Sequence, residues 1–276
     1  MKIRFLALLL CALCQACLLQ STHADLLLSD DFNTVVSGDN INGRAPNVNN
    51  VNSSNWVAST ASFLGDGSGG LSAIATSTAQ GRSASLDLGE NYFATNPGIY
   101  EMSLTITQPT STASSWIALG FSPANDVAQN LVGNDGNPWM LFRLNGSVNV
   151  YGGPGVADQL TNGGMGVPNP ATVTAPRDVP NVFTLLLDTS VPNWTLNAAI
   201  NGTPVDVNGS NPGLAYEFTA NPAGIRYATM AAGYSGAPGT GTVDNFSLSV
   251  TPIPEPGSIA LFAFAASAGL VWWRRR

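Results

Sequence analysis

Between residues 25 and 251 the sequence has no cysteine, no histidine and no lysine. Without thiols this span can form no disulfide, so its stability has to come from the size of a buried core. Missing imidazole, thiol and amine side chains also exclude histidine-based triads, cysteine nucleophiles, lysine Schiff bases and ordinary zinc sites. Glutamate is scarce, with Glu90, Glu101 and Glu217 alone in that span. Charged residues make up 10% of the 276 and the formal net charge is −7, which leaves no basic surface for nucleic acid. An apolar content of 44% at so low a charge argues against a disordered chain. What remains open is carboxylate chemistry, oxygen-ligand metals such as calcium, and binding without catalysis.

The two ends differ from the body. Lys2 and Arg4 precede a mostly apolar run from Phe5 to Leu19, and Thr22-His23-Ala24 ends in a small residue. This is the pattern of an export signal, with cleavage expected between Ala24 and Asp25. A lipid anchor is the alternative, because Cys11, Cys14 and Cys17 lie in or near the apolar run. Neither Cys14 nor Cys17 has Leu, Ile or Val three residues earlier, which counts against it.

At the other end Pro254-Glu255-Pro256 leads into an uncharged stretch from Ser258 to Trp273, closed by Arg274, Arg275 and Arg276. As a helix those residues would span about 24 Å, slightly under the roughly 30 Å hydrocarbon core. The closing arginines suit the cytoplasmic side and would act as a membrane stop. The tripartite order resembles the PEP-CTERM sorting signal of Gram-negative bacteria. That resemblance implies recognition and removal of the tail by exosortase, with Pro254, Glu255 and Pro256 as the recognised motif. It further implies transient residence in the inner membrane and delivery to the cell surface or an extracellular matrix. A retained C-terminal anchor is the plainer alternative.

In the body, alternation with a period of two dominates. Tyr100, Met102, Leu104 and Ile106 share one face of a strand, and Glu101, Ser103, Thr105 and Thr107 share the other. Trp194, Leu196, Ala198 and Ile200 alternate in a second strand, and Phe246, Leu248 and Val250 in a third. Further strands are expected at 26–32, 83–88, 115–121, 139–144, 182–188 and 225–234. Asn145-Gly146 and Asn201-Gly202 mark hairpins. Many short strands with frequent turns predict an all-β, antiparallel sandwich. From the strand at Asp30-Asp31-Phe32 to the one at 243–250, the order of features resembles the concanavalin A-like, laminin-G-like jelly rolls. An immunoglobulin-like sandwich is the competing fold. The expected organisation is a signal peptide at 1–24, a β-sandwich at 25–251 and a sorting signal at 252–276.

Jelly rolls of that resemblance often bind sugars on exposed aromatic rings. Trp139 and Tyr151, both close to turns, are the expected glycan platforms, whereas Trp116 and Trp194 sit in alternating strands and should be core. For calcium, Asp135 in the loop at 134–137 and Asp126 nearby are the expected ligands. Asp30, Asp31 and Asp244 would converge if the terminal strands pair, though capping a sheet end is the more ordinary role for them. The glutamate and aspartate triplet of laminarinase-like glycosidases is absent. The reading is therefore a non-catalytic surface or matrix protein holding exopolysaccharide in a biofilm. The alternatives are a secreted glycoside hydrolase or lyase on the same fold, or a purely structural matrix component. Residues 25–251 carry 16 Asp and Glu against 5 Arg, which would let divalent cations bridge them to acidic polymers.

Overall fold

A computed structural model describes residues 23–75, 82–111, 115–125, 137–153, 158–210, 214–233 and 239–253. One compact unit spans Leu26–Val250. The expected export signal, apart from His23 and Ala24, and the tail from Pro254 onward lie outside the described residues. No described helix is long and apolar enough to cross a membrane.

The described strands are, in chain order, β1 (Asp25–Asp30), β2 (Val48–Asn49), β3 (Val57–Ala58), β4 (Leu64–Gly65), β5 (Leu71–Ala75), β6 (Arg82–Asp87), β7 (Gly98–Thr107) and β8 (Trp116–Ser122). They continue with β9 (Trp139–Arg143), β10 (Val148–Tyr151), β11 (Asn181–Asp188), β12 (Thr195–Ile200), β13 (Thr203–Val205), β14 (Tyr216–Glu217), β15 (Tyr227–Gly233) and β16 (Gly239–Pro252). A ten-stranded sheet runs β13-β12-β11-β7-β16-β1-β2, with β14 beside β12 and the β4–β5 pair beside β16. A six-stranded sheet runs β10-β9-β8-β15-β6-β3. The two form an antiparallel sandwich in which the first and last strands are neighbours.

The core is built as the alternation requires. Tyr100, Met102, Leu104 and Ile106 of β7 are fully buried, next to Phe183, Leu185 and Leu187 of β11 in register. Opposite them lie Ile117, Leu119 and Phe121 of β8 and Met140 and Phe142 of β9, in one cluster. The Phe142 and Phe183 rings meet across the two sheets at 5.2 Å. A single short helix, α1 (Tyr92–Thr95), is described, and it carries the buried Phe93 to Tyr100 and Phe121.

Turn chemistry sets the register. Asn201 and Gly202 both take positive φ, 50° and 76°, giving the tight turn between β12 and β13. At the other hairpin only Gly146 does, at 92°. Its N–H donates to the Arg143 carbonyl, so the loop is one residue longer than Asn145-Gly146 alone predicts. In β16, Val243 and Phe246 are both buried although three positions apart, because Asn245 at φ 50° inserts an extra residue. That insertion turns Asp244 and Asn245 away from the core at the point where β16 passes β1.

Candidate functional site

Much of the six-stranded sheet is buried on both faces. Every residue of β8, β10 and β15 is buried, so these strands do not alternate as half-solvated strands would. A second apolar cluster of Trp116, Ala118, Trp139, Leu141, Tyr151 and Ala231 covers the face turned away from the core. Trp139 and Tyr151, expected as surface platforms, are 5% and 6% exposed. They pair directly across β9 and β10, and their rings stack on each other at 4.1 Å and 7°. Proximity to turns suggested exposure, but cross-strand pairing turns each ring face toward the other. Burial raises the Tyr151 phenol above its ordinary range, and its hydroxyl donates to Gln159 Oε1 at 3.0 Å.

Glycine clears the backbone beside Trp116 and Trp139. A Cβ on Gly233 would fall 1.9 Å from the Trp116 ring, and one on Gly120 would fall 2.4 Å from Trp139 Cβ. Trp116 is thus buried as expected, although in the outer cluster. Trp194 is half-buried against the main core, and Trp56 is fully buried.

The ten-stranded sheet is the opposite. Over β11, β7, β16 and β1, mostly small and polar residues floor a groove of about 510 Å3. Hydroxyls come from Ser29, Ser103, Thr105 and Ser247, amides from Asn47 and Asn245, and carboxyls from Asp30 and Asp31. Val182 supplies the apolar contact, while the Phe246 ring is buried against Trp56. Strand register explains the set: Thr105 stands opposite Val182, and the Ser103 and Ser247 hydroxyls are 2.8 Å apart.

The carboxyl groups in and beside the groove are held differently. Asp30 is 1% exposed, and Phe32 N–H donates to its Oδ1 at 3.1 Å. Its Oδ2 accepts from Trp56 Nε1 at 2.8 Å and from Arg44 Nη1. These bonds end β1, and Phe32 follows in the left-handed region at φ 54°. Asp31 Oδ1 accepts from Asn33 N–H at 3.1 Å and Asn47 Nδ2 at 3.0 Å. The Asn33 backbone, with smaller help from Arg44, holds the Asp31 carboxyl below the usual range. Asp244 goes the other way. Burial raises it, and the Asp31 and Asp66 carboxylates raise it further. Burial raises Asp66 too, but N–H groups of Ser68 and Gly70 outweigh it and hold that carboxyl low. The terminal strands do bring Asp31 and Asp244 close enough to interact, while Asp30 serves as the cap.

Among the described residues no group of three or more His, Cys, Asp or Glu side chains is placed to hold a metal ion. Asp126 and Asp135 lie outside them, as do Pro254, Glu255, Pro256 and Arg274 to Arg276. Ala24 and Asp25 are exposed, and Asp25 opens β1. The scarce glutamates are dispersed: Glu90 pairs with Arg226 at 3.2 Å, Glu217 accepts from Asn193, and Glu101 is exposed on β7. The groove was not anticipated as a site. Its one legible signal was the polar face of β7.

No curated protein matches the sequence. Among solved structures, the chain is similar to an endo-1,3-beta-glucanase from Streptomyces sioyaensis at 15% identity and a TM-score of 0.51, covering 83% of this chain and 97% of that one. The Emp46p carbohydrate recognition domain gives 15% identity and a TM-score of 0.43 over 70% and 87% of the two chains. A putative beta-glucanase from Mycobacterium abscessus gives 12% and 0.44 over 81% and 100%. At these identities the likeness is one of fold, and the glucanase above 0.5 is the comparison that supports it. Residues 252–276 match the family model of the PEP-CTERM protein-sorting motif. The chain is therefore a jelly-roll-like β-sandwich that carries a PEP-CTERM sorting motif, the mark of an exosortase-sorted protein exported to the cell surface.

Proposed function

We infer that the sandwich is non-catalytic and holds extracellular polysaccharide at the cell surface or in a biofilm matrix. The observation that carries this reading is the state of the two carboxyl groups lining the groove. Glycoside cleavage by paired carboxyls needs one of them to deliver a proton. Asp30 has both oxygens engaged by hydrogen-bond donors, and Asp31 is held toward its ionised form. Asp30 is enclosed and out of reach of a substrate, whereas Asp31, fixed by Asn33 and Asn47, suits the hydrogen-bonding wall of a binding site. The sorting motif at residues 252–276 supports the surface address.

A second reading rests on Asp244. Its carboxyl is raised while that of Asp31 is lowered, and environments that push two acids apart are how glycosidases divide acid from base. Asp244 does not line the groove, which favours binding over cleavage. The exported protein purified from producing cells is incubated with their polysaccharide while bound protein and new reducing ends are both measured. Saturable binding without new ends is the expected result. Release of ends, abolished in Asp244→Asn, would replace the binding reading with the enzymatic one.

A further inference from the structure

We propose that the groove on the outer face of the ten-stranded sheet is the polysaccharide site, and that it takes a chain of neutral sugars rather than a polyuronate. This rests on the binding reading above and gives it a place and a ligand class.

Size is the first argument. About 510 Å3 is within the range of small-ligand sites, roughly 300–1,000 Å3, and fits a few sugar rings. Unused hydrogen-bonding capacity is the second. Among the described residues the side chains of Ser29, Thr105 and Asn245 make no hydrogen bond, yet all three line the groove. They offer donors and acceptors at a spacing fixed by strands rather than loops. Asp31, oriented by Asn33 and Asn47, adds an acceptor that stays ionised for sugar hydroxyls to bond. Val182 is 43% exposed directly opposite Thr105, an apolar surface for the C–H face of a ring.

Charge decides the class. Arg44 is the cation at this margin, and it is held by Asp30 and by Thr34 Oγ1 at 2.9 Å. A uronate entering the groove would meet the Asp31 carboxylate, and among the described residues no Arg or Lys lines the groove to offset the repulsion. A neutral hydroxyl would instead donate to it.

The test uses polysaccharide from the producing cells, separated by anion exchange into an unretained neutral fraction and a retained acidic fraction. Binding of the exported protein to each is measured in EDTA, so that calcium bridging cannot carry an acidic chain. The neutral fraction is expected to bind and the acidic fraction not. Thr105→Ala and Asn245→Gly, the latter keeping the positive φ, should each weaken neutral binding roughly two- to tenfold. Thr203→Ala on exposed β13 should leave it unchanged. Near-UV circular dichroism of the tryptophan cluster reports whether each variant is folded. Acidic binding in EDTA overturns the ligand class. Neutral binding untouched by both groove variants overturns the location while leaving the polysaccharide reading intact. Sugar release, or no binding of either fraction, overturns that reading and this inference with it.

Discussion

The outer faces of the two sheets have opposite character although the same chain builds both. On the six-stranded sheet, Trp116, Trp139 and Tyr151 cluster with Ala118, Leu141 and Ala231 and are shut away from water. On the ten-stranded sheet, serine, threonine and asparagine face solvent around a groove. An aromatic ring excluded from water stabilises the fold but is closed to a ligand. A row of hydroxyls on rigid strands adds little stability yet stays free to bond one. In this molecule the residues with the strongest sugar-binding reputation belong to the packing, and the unremarked small ones form the opening.

The largest expected effect breaks that contrast at its dry side. Trp139→Ala should cost about 3–5 kcal/mol of unfolding free energy in urea, as for a buried ring. A loss within about 0.5 kcal/mol would mean that Trp139 is a surface platform after all. Next comes the wet side's anchor. Arg44→Ala removes a charged donor from the 1%-exposed Asp30 and should cost about 1.5–3 kcal/mol. An unchanged urea midpoint would show that Trp56 and the Phe32 N–H suffice to hold that carboxyl. Gly233→Ala sharpens the packing claim, since its methyl would meet the Trp116 ring; about 1–3 kcal/mol is expected. A neutral result would mean that the ring can lift off the sheet.

The smallest effect concerns pH. The Asp244 carboxyl is raised in the folded protein by burial and by Asp31 and Asp66, so the proton binds the folded state more tightly than the unfolded. Its favourable contribution is therefore complete at low pH and is lost as pH rises through the folded value. Asp244→Asn should raise Tm modestly at neutral pH, with the gain shrinking toward acid. Asp87 has the reverse sign, because hydrogen bonds from Arg226 lower it. Its stabilisation is present at neutral pH and lost as pH falls through its lowered range, so Asp87→Asn should matter least in strong acid. A Tm series against pH for both variants checks the two signs together.

Much of the fold was legible because alternation is a local property. The buried face of β7 is the one its pattern predicts, and the strand expected at 182–188 is β11. The strand at Leu71–Ala75 went unread, since Leu-Ser-Ala-Ile-Ala carries little contrast between faces. The outer aromatic cluster was misplaced for a different reason. Trp139 and Tyr151 each sit near a turn, and nothing in either strand alone announces that register pairs them. Asp31 and Asp244 were linked through the pairing of terminal strands, yet the groove beside them takes one to three residues from each of four strands and two more from loops. No short window of sequence contains enough of it to be seen.

By itself the sequence determined the class of fold, the sorting motif at residues 252–276, and the absence of thiol, imidazole and amine chemistry from the body. These are properties of composition and of near neighbours along the chain. Only the tertiary structure decided which aromatics are shut in, how Asp30, Asp31 and Asp244 divide capping, fixed charge and a tightly held proton, and where an open polar groove lies. Those depend on register between strands far apart in the chain, and a single inserted residue at Asn245 is enough to turn a row of side chains from one face to the other.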